Sequence, residues 1–255
     1  MEVVSFTIEG AVGIIELTSP PVNALSVELA ADLDQAITMA SDDEVRAVVI
    51  TGRPHFAAGA DIAGFKTAHA SGASGLEGNR LDTVVRRLEL LAKPVIAAVF
   101  GYALGGGLEL ALGADFRYLA DDAKVGQPEI LLGIIPGAGG TQRLGRLVGF
   151  SVGKELVYSG RHVPADEAHE LGLADKVFPS DDLMAAAVEA AADYASGPSL
   201  ALAAAKRAIN EGWGNPIDEA LAVEAEAFAD CFNTDDAKEG VAAFLEKRQA
   251  EFTGR

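Results

Sequence analysis

Residues 95–116, VIAAVFGYALGGGLELALGADF, constrain this chain more than any other stretch. The run Val95–Val99 has the length and β-branched content of a buried strand. It ends at Gly101, and Gly105, Gly106 and Gly107 follow before LELAL, a helix-forming run that carries one acid, Glu109. A strand, a glycine turn and a helix start gather unpaired backbone N–H groups at one point, with the positive end of the helix dipole behind them. Glycines let a ligand approach that backbone without a Cβ in the way. Such a corner suits an oxygen that gains negative charge during a reaction.

The two thirds of the chain around this corner mix strands with helices. Residues 3–8 and 12–17 alternate in polarity across Glu9-Gly10, which predicts a hairpin. Ser26 is placed as the N-cap of a helix whose apolar face is Leu29, Leu33, Ile37 and Ala40. Residues 45–51 read as a buried strand, residues 81–91 as a helix and FRYLA (116–120) as a further strand. Residues 64–80, rich in Gly, Ala and Ser without a firm period, read as a mobile loop over a binding site. From Ser151 onward the pattern is almost wholly helical, broken at Gly160, Pro164, Gly172, Pro179 and further Gly/Pro positions. No conventional repeat is present, but a strand, a small-residue turn and an acid recur around Asp61, Glu109 and Glu129, which predicts stacked strand–strand–helix turns.

Charge narrows the partners. Thirty-eight acids against 20 bases give a net charge of −18. That balance argues against nucleic acid, whose affinity comes largely from cationic contacts to phosphate, and against an anionic membrane surface. No stretch has the ~18 uninterrupted apolar residues of a membrane span. Cys231 is the only cysteine, so there is no disulfide framework; its neighbours suggest a quiet core thiol. The acidic, alternating amino terminus lacks a signal core, and the expected location is the cytoplasm. His55, His69, His162 and His169 show no metal-ligand spacing and read as surface or cap residues; no metal is expected.

The candidate chemistry centres on two acids. Glu109 and Glu129 each sit beside a glycine-rich corner, and paired carboxylates divide acid and base roles when their surroundings separate their pKa values. Both acids also fit ordinary helix starts, where a negative charge is favourable for dipole reasons alone. Asp61, after the small residues of FAAGADI, fits a helix cap as well as a site. Gly149-Phe150-Ser151-Val152-Gly153 matches the nucleophile-elbow string, but GTQRLGRLV before it is not a convincing strand. The Gly105–Gly107 corner lacks G-x-G-x-x-G, and Gly153-Lys154 lacks the rest of a P-loop.

Three linked stretches, VIAAVFGYALGGGLELALGADF, FAAGADI and GQPEILLGIIPGAGGTQRL, resemble the enoyl-CoA hydratase/isomerase (crotonase) family, nearly end to end from the hairpin through NALS to FLEKR. The resemblance implies an α/β, crotonase-like spiral of β-β-α units. Residues 1–195 would form the core with the acyl-CoA site. Residues 196–255 would form a helical trimerisation region packing on the core or on a neighbouring subunit, in a homotrimer or a hexamer built as a dimer of trimers. It implies an enoyl-CoA hydratase, adding water syn to a trans-2-enoyl-CoA to give a 3-hydroxyacyl-CoA in fatty acid β-oxidation or related acyl-CoA catabolism, with no cofactor beyond the coenzyme A of the substrate. An enoyl-CoA isomerase and a non-catalytic acyl-CoA-binding homologue are the alternatives.

Residue by residue, Ala60 and Gly106 match the positions whose N–H groups hold the thioester oxygen. Glu109 matches the glutamate that deprotonates the attacking water, and Glu129 the one that gives the proton to Cα. Ala24, Ala58, Asp61, Ile62 and Ala63 match the walls around the adenine and pantetheine. Lys247 matches a lysine that approaches the coenzyme A phosphates, and Lys66 and Arg248 are further candidate cations. Phe100 departs from the family pattern, which commonly has a small polar residue there. The TSPPVNALS segment is shorter than usual, and Gly64 stands where many members have lysine.

Overall fold

The computed structural model describes residues 1–59 and 80–255. Ala60, Asp61, Ile62, Ala63, Lys66, His69 and the remainder of the expected mobile loop up to residue 79 lie outside the described residues. Ten strands are present among the described residues: β1 (Val4–Glu9), β2 (Val12–Leu17), β3 (Ala47–Gly52), β4 (Ala57–Ala58), β5 (Val95–Val99), β6 (Tyr102–Leu104), β7 (Phe116–Ala120), β8 (Lys124–Gly126), β9 (Val163–Pro164) and β10 (Lys176–Phe178). The helices in the first two thirds are α1 (Val27–Ala40), α2 (Leu81–Glu89), α3 (Gly106–Leu112), a 3-10 helix (Pro128–Leu132), α4 (Gly140–Val148) and α5 (Phe150–Ser159). After them come α6 (Ala165–Glu170), α7 (Leu183–Ala195), α8 (Ser199–Gly212), α9 (Ile217–Phe232) and α10 (Asp235–Glu246).

Two sheets share the strands. One runs β1-β2-β3-β5-β7-β10 and the other β4-β6-β8-β9. Successive turns of chain give one strand to each sheet: β3 then β4, β5 then β6, β7 then β8. Within the small sheet β4, β6 and β8 are parallel and adjacent, pairing Ala58 with Leu104 and Leu104 with Gly126. The strands of the three segments therefore stack, and Glu109 and Glu129 leave the same end of neighbouring strands. That is the spiral of β-β-α units.

Burial explains the apolar runs. β3 and β5 are covered on both faces, so their side chains do not alternate in polarity. The helix α1, capped by Ser26, whose Oγ accepts from Leu29 N–H at 3.1 Å, packs on β1, β2 and α2. It buries Leu29, Leu33, Ile37 and Ala40, the four residues placed there by spacing. The helix α7 packs against β3 and β5 through Leu183, Ala187, Ala191 and Ala195, a stripe at four-residue spacing.

Two sequence expectations need correction. The chain beyond Ser151 is not purely helical: β10 extends the main sheet parallel to β7, and β9 edges the small one. Both are two or three residues long, too short to show a period. Cys231 is a half-exposed free thiol, not a core one, because its helix α9 buries only Ala227 fully. The reading of GTQRLGRLV as no strand holds: Ser151 lies in the first turn of α5 immediately after α4, so no nucleophile elbow forms.

The helices after residue 196 are tied to the core by charged side chains. Arg46 donates to Ser199 Oγ (2.7 Å), to Gly197 O (2.6 Å) and to Phe252 O (3.3 Å). Lys206 on α8 pairs with Asp115 at 2.8 Å. Phe228 and Phe232 of α9 and Phe244 of α10 stay largely exposed.

Candidate active site

The corner after β6 is built by close approaches. Gly105 has φ 56° and ψ −126°, a conformation that side-chain-bearing residues avoid, and its N–H donates to Gly126 O at 2.9 Å. That bond ties the corner to the end of β8 just before Glu129. A Cβ on Gly107 would lie 2.0 Å from Ala57 O, so α3 starts directly against β4. Gly106 is the first residue of α3, where the helix cannot pair the N–H itself, and among the described residues that N–H has no hydrogen-bond partner. Leu25 and Leu81 wall it at 3.0 and 2.9 Å from the position a Cβ would take.

Both acids reach this corner. Glu129 Oε1 lies 3.0 Å from where a Cβ on Gly105 would stand, and Glu109 Oε2 lies 4.0 Å from the same point on Gly106. Glu109 is only 2 % exposed, and its Oε1 accepts from Ala138 N–H and Gly140 N–H, both at 2.7 Å. Gly140 opens α4, so a helix N-terminus faces the carboxylate. Burial raises the Glu109 pKa, opposed by these two N–H groups and by the charge of Arg143.

Glu129 is pushed up to about 7, chiefly by burial and further by the charge of Glu109, while its own N–H draws it back. Gln127, which is fully buried, turns its amide nitrogen to both Glu129 oxygens, at 2.9 and 3.0 Å, and so favours the ionised form. The two acids differ in kind: at Glu109 fixed donors oppose the rise that burial causes, whereas Glu129 sits at the edge of protonation near neutral pH.

Gln127 is absent from the sequence expectations. Its only signal is a polar residue directly after a buried strand and two before an acid. The glycines of GAGG have a use that spacing does not reveal. A Cβ on Gly140 would lie 2.6 Å from the Gln127 carboxamide, and one on Gly139 would lie 1.9 Å from Arg143 Nη1.

The remaining expected residues are scattered around the corner. Ala58 N–H donates to Val22 O at 2.9 Å and Leu25 N–H to Gly59 O at 3.0 Å, which lays Ala24 alongside Ala58 and Gly59. Asn23, buried at φ 50°, fixes that segment by donating to His55 O (2.8 Å) and Phe56 O (3.2 Å). Lys247 is the exposed C-cap of α10. Arg248 is not a free cation, because it is bound to Glu239 and Glu246. Phe100 is buried under the Arg53 guanidinium, 3.8 Å from its ring centroid. His55 is half-buried: its ring lies tilted against that of Tyr102, 4.6 Å between centroids, and Nδ1 is buried without a partner.

The comparisons with known proteins fit this geometry. The sequence profile of the family described as Enoyl-CoA hydratase/isomerase matches residues 7–255. A short-chain-enoyl-CoA hydratase of Clostridium acetobutylicum is 45% identical over 251 residues, covering 95% of this chain and 94% of that protein. A crotonyl-CoA hydratase of Syntrophomonas wolfei is 46% identical over 236 residues, covering 91% and 90%. The crystal structure of an enoyl-CoA hydratase from Bacillus anthracis superposes with a TM-score of 0.92 at 38% identity, covering 99% of this chain and 100% of that one.

Proposed function

This chain belongs to the enoyl-CoA hydratase/isomerase family, and from that premise we propose that it adds water across the 2,3 double bond of trans-2-enoyl-CoA thioesters. The observation that carries the reading is the convergence of Glu109 and Glu129 on the glycine corner at Gly105 and Gly106. In this reading Gly106 N–H, with Ala60 N–H as its partner, holds the thioester oxygen while negative charge builds on it. Glu109, the better stabilised carboxylate, takes a proton from water as it attacks C3. Glu129, poised near neutrality, gives a proton to Cα. The water supplies the hydroxyl on C3 and one proton, which Glu109 takes up and which makes good the proton Glu129 has given to Cα, so the double bond becomes a C–O and a C–H bond on one face and the product is the 3-hydroxyacyl thioester. No electrons are gained or lost, and the proposal assigns no cofactor beyond the substrate's own coenzyme A.

Ala24, Ala58, Asp61, Ile62 and Ala63 are proposed as walls of the coenzyme A channel, with Lys247 and Lys66 as cations for its phosphates. We extend the reading to a cytoplasmic homotrimer or dimer of trimers. The free thiol of Cys231 agrees with a reducing compartment, and the exposed faces of Phe150, Tyr158, Phe228, Phe232 and Phe244 are apolar surface of the kind subunit contacts cover. Residues 1–195 are proposed as the catalytic core and 196–255 as the helical assembly region.

The test is an assay of purified protein against trans-2- and trans-3-enoyl-CoA esters with product identification. Hydrated product from crotonyl-CoA, lost by orders of magnitude in both Glu109→Gln and Glu129→Gln while acyl-CoA still binds, is the expected result. Unchanged hydration in both variants would refute the assignment. A shifted alkene without hydration would mark an isomerase, and binding without turnover a non-catalytic homologue.

A further inference from the structure

The Glu109 carboxylate rests on backbone, and that backbone rests on an ion pair. Ala138 N–H and Gly140 N–H both donate to Glu109 Oε1 at 2.7 Å. They belong to a glycine-rich turn, which by composition is loose and needs an external brace to hold two donors on one oxygen. The brace is Arg143, one turn into α4. Its Nη1 donates to Ala138 O at 3.0 Å, so the residue that donates to Glu109 is also held by its own carbonyl. Its Nη2 and Nε reach Glu89 Oε2 and Oε1 at 2.7 and 3.2 Å, a two-pronged pair with both side chains largely buried.

Glu89 is itself fixed. It ends α2, its side chain also accepts from Arg86 at 2.7 Å, and its carbonyl accepts from Asn210 Nδ2 on α8 at 3.2 Å. The guanidinium passes directly over Gly139, where a Cβ would lie 1.9 Å from Nη1, so this glycine is the space that the brace occupies. Lysine could not replace the arrangement, because it has no planar fork to address a carbonyl and two carboxylate oxygens together.

We propose that Arg143, locked by Glu89, is a positioning residue for Glu109: it fixes the turn from Ala138 to Gly140 so that both N–H groups converge on one carboxylate oxygen. The inference rests on the reading of Glu109 as the base. Arg143 touches no reacting atom. Its effect reaches the chemistry through the state of the Glu109 carboxylate, which the two N–H groups and the Arg143 charge all favour in ionised form. The charged groups around Glu109 among the described residues are Arg143 on α4 and Glu129 on the 3-10 helix, with Glu89 and Arg86 of α2 beyond Arg143. Removing Arg143 leaves Glu129 as the uncompensated neighbour.

The test reads the Glu109 titration itself in the full chain without substrate, by infrared difference spectroscopy across pH, its carboxyl band assigned by its absence in Glu109→Gln. In Arg143→Met the apparent pKa rises by about one unit or more. The acid limb of the hydration kcat profile then moves to higher pH by the same amount, while the alkaline limb set by Glu129 stays in place, with KM changed less than about threefold. Arg143→Lys, which keeps the charge, falls between the two. A Glu109 titration in Arg143→Met that superimposes on the parent overturns the proposal. Should Arg143→Met not fold, Arg143→Lys decides alone: an upward shift supports the brace and an unmoved titration overturns it. If the parent hydrates no enoyl-CoA ester, the functional reading fails while the titration still decides the brace.

Discussion

Gln127 Nε2 donates to both carboxylate oxygens of Glu129, at 2.9 and 3.0 Å, from a fully buried position directly after β8. This amide is the counterweight to burial at the acid. Gln127→Met keeps the volume and removes the donor, so the Glu129 pKa moves further up. If the neutral form of Glu129 is the proton donor, the alkaline limb of the kcat profile moves to higher pH by about one unit. A pH–rate series on crotonyl-CoA measures it, and an unmoved alkaline limb would separate Gln127 from the titration.

Glu129 also makes stability depend on pH. Its folded pKa of about 7 lies above the ordinary 4.5 of a glutamate, so in the window between them the folded state holds a proton that the unfolded state has released. Stability contributed by this group is therefore highest below the ordinary value and declines as pH rises towards 7. Glu129→Gln removes the decline. The variant should exceed the parent in stability at pH ~8 by roughly 1–3 kcal/mol, the lower end allowing for the partial exposure of the group and for the Gln127 donor, and lose that margin near pH ~4. Urea unfolding at both pH values measures the gap; a gap that widens on acidification would contradict the sign. Activity moves the opposite way, as expected where a strained site is maintained for chemistry.

The sequence carried the spiral because each turn repeats the same local logic. Val95–Val99 is apolar throughout because β5 is covered on both faces, and Leu29, Leu33, Ile37 and Ala40 recur because α1 buries one face against β1, β2 and α2. Glu109 and Glu129 were legible as a pair because each follows a strand of the same small sheet. What stayed hidden depends on contacts between residues far apart in the chain. Nothing local in GTQRL announces that Arg143 reaches Glu89, 54 residues earlier. Gln127 looks like any polar loop residue until β8 is seen to end against Glu129. The two short strands β9 and β10 are edges dictated by their neighbours, and a two- or three-residue strand carries no periodic signal.

Gly105 is the position where backbone and chemistry coincide. Its φ of 56° and ψ of −126° is unfavourable for a side-chain-bearing residue, and a Cβ there would press on Glu129 Oε1 at 3.0 Å. Gly105→Ala should cost roughly 1–3 kcal/mol of stability from the backbone alone. It should also lower hydration by about a hundredfold or more through displacement of the Glu129 carboxylate, as small misplacements of catalytic groups do. Gly10 offers the control, since it has φ 62° with nothing within 4 Å of a Cβ. Gly10→Ala should show a backbone cost with full activity. Equal activity losses in the two variants would mean that strain, not displacement of Glu129, limits the reaction.

The last prediction concerns the attachment of the carboxyl-terminal helices. Asp115 accepts from Val95 N–H at 2.7 Å and from Lys206 Nζ at 2.8 Å, while Lys206 also donates to Lys93 O at 3.0 Å. The pair therefore joins α8 to the head of β5, the strand that leads into the glycine corner. Burial raises the Asp115 pKa and the Lys206 charge pulls it back, so the carboxylate depends on its partner. Lys206→Met strands a largely buried charge, a change that typically costs roughly 3–5 kcal/mol. Adding Asp115→Asn relieves part of that cost, because the amide still addresses Val95 N–H without carrying charge. The double variant should thus be more stable than Lys206→Met alone in urea unfolding. A double variant less stable than the single one would show that Asp115 is held by its β5 contact and owes nothing to α8.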